Sequence, residues 1–223
     1  MDLPQVVDLL ARVELFSALD ERGLRQVARR CGQRTAPAGT AIFVQEELGD
    51  RMFVLAEGAV KLLLQSPQGE KLELLRHRPP AVFGELAMLD GGPRSASAEA
   101  VVESKLLVVH RAEFVRLVRS DERVADAMFR SLGSMVRRTT HRVEDLAFLD
   151  LQGRVAHRLL ELGDSFGKHV PPVTQGELAT MVGGARQSVN LALRGLEERG
   201  FIRNVGGRIE ILDREGLRSR TGE

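Results

Sequence analysis

Tryptophan and tyrosine are missing from this chain, and its nine phenylalanines supply all the aromatic residues of that class. A function that depends on stacking nucleic-acid bases on aromatic rings is therefore disfavoured. Cysteine occurs once, at Cys31, which excludes an intramolecular disulfide and an all-cysteine iron–sulfur cluster within one chain. That usage fits a reducing, cytoplasmic setting. No apolar run is long enough to cross a bilayer, and Met-Asp-Leu-Pro at the start has no basic segment leading into an apolar one. Neither a membrane span nor a signal peptide is expected. Charge of one sign is not in excess either, with 32 Lys and Arg against 31 Asp and Glu. This excludes a polyanion binder held by bulk charge and leaves open a localised face that reads DNA.

The 223 residues suffice for one large domain or two small ones. Residues 3–31 read as helical, with Leu24, Val27, Ala28 and Cys31 at helical spacing and Asp20 placed as an N-cap. From 33 to 109 the rhythm changes. Short apolar runs at 41–44, 52–56, 59–64, 72–75, 82–83 and 105–109 alternate with Gly, Pro, Asn-like and acidic turn residues. Such spacing predicts a β-sandwich or roll. A short helix over 111–119 and a long one over 121–148 follow. The long helix carries a heptad-like stripe of Ala125, Met128, Leu132, Met135, Thr139 and Leu146, broken by Arg142. The stripe would pair with a second copy or pack on its own roll. Asp150 caps a predicted helix over 151–163, and 163–172 reads as a loop.

Residues 173–182 open with a capping box, in which Thr174 and Glu177 satisfy each other's backbone amides. Gly183-Gly184 makes a sharp turn into a second helix over 185–199, whose Val189, Leu193 and Leu196 face inward. Residues 200–212 read as a hairpin turning at Gly206-Gly207. Two helices and a hairpin make a winged helix-turn-helix. The outward group is Arg186, Gln187, Asn190 and Arg194, with Ser188 near the helix start. Arginine suits guanine and glutamine suits adenine in a major groove.

The most informative stretch is V-F-G-E-L-A-M-L-D-G-G-P-R-S-A-S, residues 82–97. Gly84 permits close backbone approach, and the amides after it open a short helix that favours anions. Arg94 offers a planar fork of donors for phosphate, and Ser95 offers a hydroxyl. Glu85 repels phosphate but accepts from a sugar hydroxyl. Together they suit a nucleotide of low charge. The same residues also describe a capped turn with a surface arginine and a solvated glutamate.

F-G-E-L with a P-R-S-A ending resembles the phosphate-binding cassette of cyclic-nucleotide-binding domains, and G-D-R-M-F-V-L-A-E-G-A-V at 49–60 resembles their other β-roll signature. The run F-L-D-L-Q-G-R-V-A-H-R-L-L-E-L and residues 173–212 resemble the hinge and DNA-binding half of the CRP/FNR regulators, in their cyclic-AMP-receptor branch. The resemblance implies an α+β protein: a jelly-roll-like cyclic-nucleotide-binding β-roll with a dimerisation helix over 1–149, and a winged helix-turn-helix over 150–223. It implies ligand contacts from Gly84, Glu85, Leu86, Arg94 and Ser95. Thr139 and Thr140 stand where the family reads the adenine amino group. A hinge falls at Phe148, Leu149 and Asp150, and DNA contacts come from Thr174, Gln175, Arg186, Gln187, Ser188, Asn190 and Arg194. The family form S-R-E-T-V-G-R reads A-R-Q-S-V-N-L over 185–191. Arg186 is kept, Gln187 replaces a glutamate and Leu191 replaces an arginine, so a different operator half-site is expected.

The implied partners are two-fold double-stranded DNA, a second copy of the chain and RNA polymerase, without a membrane. The implied effector is cyclic AMP, with cyclic GMP or cyclic di-GMP as alternatives, and no covalent cofactor. A family member active without ligand, and a regulatory protein that binds nucleotide but no DNA, are competing expectations. An enzyme such as a metal-dependent cupin is a third, and it needs clustered ligands. His77, His110, His141, His157 and His169 are scattered with no His-x-His pair. No enzymatic activity is therefore expected.

Overall fold

The structure, a computed structural model, describes residues 1–166, 173–205 and 208–221. The chain divides into two compact units: residues 1–70 with 74–136, and residues 71–73 with 137–223. His169, most of the expected 163–172 loop and the Gly206-Gly207 turn lie outside the described residues.

The first unit is built on strands β1 (Gly32–Ala36), β2 (Ala41–Phe43), β3 (Arg51–Glu57), β4 (Val60–Gln65), β5 (Lys71–His77), β6 (Ala81–Phe83), β7 (Ser97–Ala100) and β8 (Ser104–His110). They form two four-stranded sheets, ordered β1-β8-β3-β6 and β2-β7-β4-β5. β1 on β8, β3 on β6 and β8, and β7 on β2 and β4 pair antiparallel. Side chains alternate across a strand. Phe53, Leu55, Phe83, Leu106 and Val108 of one sheet therefore face Phe43, Val60, Ala98 and Ala100 of the other in the core between the sheets. The intervening Met52, Val54, Leu107 and Val109 join a second apolar layer with helical side chains. Both faces of β3 and β8 are buried, which is why these strands read as continuous apolar runs rather than as alternation.

That second layer is supplied by α1 (Leu3–Ala11), α2 (Glu21–Ala28), the short α3 (Leu86–Asp90), α4 (Arg111–Ser120) and the start of α5 (Glu122–Phe148). Asp2 and Gln5 close a capping box on α1, and Asp20 accepts from the Gly23 amide at the head of α2, as its position predicted. Strands β1 and β7 were not among the expected apolar runs. Their sequences, G-Q-R-T-A and S-A-E-A, are too small and polar to signal a strand, yet Ala36, Ala98 and Ala100 are buried.

The 27-residue α5 matches the expected long helix, but its expected stripe does not all lie on one free face. Met128 turns into the helical layer beside Val124 and Ala127, and Leu132 packs partly against that layer. The exposed apolar residues are Phe129, Val136 and Val143, at 71%, 65% and 58% exposure, with Leu146 at 46%. Positions 129, 136 and 143 repeat every seven residues, as do 132, 139 and 146. Heptad spacing of this kind is what pairing with a second helix requires, and Leu132, Thr139 and Leu146 belong to the expected stripe as well. Arg142, which broke the predicted stripe, donates to the Glu73 carbonyl at 3.0 Å within the second unit. Burial, then the neighbouring Arg158, pulls its guanidinium below the ordinary range.

The second unit contains α6 (Leu151–Phe166), α7 (Gln175–Val182), α8 (Arg186–Glu198), the hairpin β9 (Ile202–Val205) and β10 (Arg208–Ile211), and α9 (Arg214–Arg218). Helix α6 continues three residues past the expected end, because Gly163 is accommodated in the helix against Ile211. Its Val155 and Leu159 meet Leu178, Met181, Val189, Leu193, Leu196, Ile202 and Ile209 in one apolar core. The Asp150 carboxylate accepts from the Gly153 amide at 2.7 Å and from Arg220 at 3.1 Å. The expected cap is therefore present, and a C-terminal arginine braces it.

Candidate functional site

The cassette begins where β6 ends. Gly84 has φ +77°, a left-handed conformation that strains any side chain, and a Cβ there would lie 2.7 Å from Arg94 Nη1. The turn delivers Glu85 to the head of α3, where it is buried at 7% exposure. Leu86 follows, half-buried.

Arg94 is only 4% exposed. Its Nη1 donates to the Gly84 carbonyl at 2.8 Å and its Nη2 to the Arg51 carbonyl at 2.6 Å. The guanidinium carbon lies 4.2 Å from the centre of the Phe43 ring, which stacks on Phe53, itself stacked on Phe83. Arg94 Nε is buried with no hydrogen-bond partner. Guanidinium carries five N–H donors, and two meet backbone oxygen here. Desolvation pulls its pKa down, while the carboxylates of Glu47, Asp50 and Glu85 hold it up. The arginine is thus a dry cation with an unfilled donor, clamped by two carbonyls and an aromatic face. Charge-assisted bonds from a guanidinium to an anion are stronger than its bonds to neutral carbonyls.

Sequence reasoning missed what makes room for it. A Cβ at Gly49 would fall 2.7 Å from both Arg94 Cζ and the Ala87 Cβ. Gly49 lay inside a recognised signature, but nothing local said that a distant arginine passes over it. Ser95 is exposed and not enclosed with Arg94. Thr139 and Thr140 are exposed on the part of α5 that belongs to the second unit.

In the second unit, Thr174 Oγ1 accepts from the Glu177 amide at 3.1 Å, and Glu177 accepts from the Thr174 amide at 3.0 Å. The capping box stands as read, and such a cap contributes about 1 kcal/mol. Gly183 ends α7 with φ +65°, and the Gly184 amide donates back to the Ala179 carbonyl. This left-handed cap sets the turn into α8. Arg186, Gln187, Ser188 and Arg194 are exposed on α8. Gln175 and Asn190 form a pair instead: the Gln175 amide donates to Asn190 Oδ1 at 3.0 Å, joining α7 to α8. Phe148 is 84% exposed at the end of α5.

Other chemistry is sparse. Among the described residues, no group of three or more His, Cys, Asp or Glu could hold a metal ion. His77 stacks on Phe83, and His157 bonds Asp145 at 2.8 Å, so both serve packing. No helix among the described residues is long and apolar enough to cross a membrane.

Two families match the chain. The cyclic nucleotide-binding domain covers residues 33–121, and the Crp-like helix-turn-helix domain covers residues 153–220. A CRP-like cAMP-activated global transcriptional regulator of Mycobacterium tuberculosis is 31% identical over 220 residues, covering 96% of this chain and 98% of the relative. The cyclic AMP receptor protein of Thermus thermophilus is 32% identical over 179 residues, covering 80% and 83%. The crystal structure of Thermus thermophilus catabolite activator protein superposes with a TM-score of 0.55 at 30% identity, covering 94% of this chain and 98% of that one.

Proposed function

This chain belongs to the CRP/FNR family of DNA-binding transcription regulators, and we propose on that premise that cyclic AMP is its effector. The carrying observation is Arg94, a buried guanidinium with an unpartnered Nε beside the Gly84 turn and the buried Glu85. The cyclic phosphate sits against Arg94, with Ser95 at the rim, and Glu85 with the Gly84 and Leu86 backbone takes the ribose side. Thr139 and Thr140 accept from the adenine amine across paired α5 helices. The family consists of regulators, not enzymes.

The working form is a dimer, joined along Phe129, Val136 and Val143, whose exposed side chains repeat at heptad spacing. The functional boundary falls at the 148–150 hinge, with a sensor over 1–149 and a reading head over 150–223. Thr174 and Gln175 meet phosphates, and Arg186, Gln187, Ser188, Asn190 and Arg194 enter the major groove. Two heads then address faces about 34 Å apart. Nucleotide occupancy biases the heads with a coupling of about 1–3 kcal/mol. The bound dimer meets RNA polymerase at promoters, in the cytoplasm.

The test is selection of duplex sites from a random pool, followed by gel shift of the full chain with cyclic AMP, cyclic GMP or cyclic di-GMP. We expect two-fold sites, and affinity raised about 5- to 150-fold by cyclic AMP over the other two. Equal affinity with and without each nucleotide overturns the effector assignment.

A further inference from the structure

Helix α8 turns its apolar residues inward with one exception. Val189, Leu193 and Leu196 are 0%, 6% and 0% exposed, whereas Leu191 is 71% exposed. A helix repeats every 3.6 residues, so Gln187, Leu191 and Arg194 form one outward stripe. Leu191 stands in its middle, flanked by Asn190 and followed by Arg194, on the helix that opens with Arg186. Single exposed leucines are ordinary on protein surfaces. This one lies on the outer face of α8 between the exposed Gln187 and Arg194, one turn to either side.

We infer that Leu191 is a specificity-determining residue that reads the C5-methyl group of thymine in the major groove. The inference rests on the DNA-reading role of α8 proposed above. The floor of the major groove offers hydrogen-bonding edges at every base pair and a single kind of apolar group, the thymine methyl. Leucine has neither donor nor acceptor, so over a guanine or cytosine edge it removes water from polar atoms and returns no bond. Over thymine it buries a methyl group and leaves O4 to a neighbour. Gln187 and Arg194, one turn to either side, supply the donors that fix the register. The half-site therefore carries a thymine between the positions read by those two side chains.

The experiment uses the full chain and a site enriched from the random pool. Each thymine is replaced singly by uracil, which removes only the methyl group. Affinity is measured by fluorescence anisotropy for the wild-type chain and for Leu191→Ala and Leu191→Lys. One thymine per half-site should weaken binding about fourfold as uracil, the worth of one buried methyl. Both variants should lose that sensitivity while keeping their sensitivity at other thymines. Because Leu191 is exposed, the variants should melt with the wild type, and circular dichroism checks this. A site with no uracil-sensitive thymine, or a Leu191→Ala chain with the wild-type uracil profile, overturns the inference and leaves the DNA-binding reading intact. Failure to enrich any site, with or without cyclic AMP, overturns both.

Discussion

Two arginine-bearing regions of this molecule solve opposite problems. Arg94 is dry, held by two carbonyls and a phenylalanine face, and shifted down by burial. Arg186 and Arg194 are exposed on α8. A small anion is caught best by a donor already in place, because the ligand has little surface with which to offset ordering costs. A DNA duplex brings many phosphates and releases counterions, so its readers can remain loose until contact. The same guanidinium is thus buried and fixed in one unit and exposed in the other, and the proposed function gives the first the nucleotide phosphate and the second the DNA.

That contrast can be broken by removing each arginine. Arg94→Leu should weaken cyclic-nucleotide binding in calorimetry by about 100-fold or more, since it deletes a charged donor from a dry site. Circular dichroism should show the fold retained, and intact affinity would refute the role of Arg94. Arg186→Ala should leave nucleotide affinity unchanged and cost about tenfold in binding to the selected operator, concentrated at one guanine of each half-site. A uniform loss across sequences would instead make Arg186 a phosphate contact. The comparison is sharpened by Gly49→Ala, which crowds Arg94 without touching a ligand. Nucleotide affinity should fall about three- to fivefold, with DNA binding in the absence of nucleotide unaltered; overpacking costs of this kind are modest. An unchanged affinity would show that Arg94 tolerates a neighbour at Gly49.

Much of this arrangement was legible in the residues because it rests on local rules. The Gly84 turn, the Thr174–Glu177 capping box, the Asp20 and Asp150 caps and the Gly183 turn each need only a few adjacent side chains. What escaped depends on partners far apart in the chain. Gly49 matters through Arg94, and Gln175 is tied to Asn190 fifteen positions away. Strands β1 and β7 are placed by pairing with distant neighbours, and only their small Ala36, Ala98 and Ala100 side chains enter the core. Met128, expected on the free stripe of α5, is buried within the first unit for a similar reason. Met128 and Phe129 are adjacent and equally apolar, and only the position of the roll decides which is covered.

The strip of Phe129, Val136 and Val143 also bears on how the protein behaves when scarce. An isolated copy leaves oil facing water along two heptads, so its folded state gains from company by mass action. For the dimer proposed along this strip, the melting temperature is expected to rise with protein concentration, and a chain with Phe129, Val136 and Val143 made polar should lose that dependence.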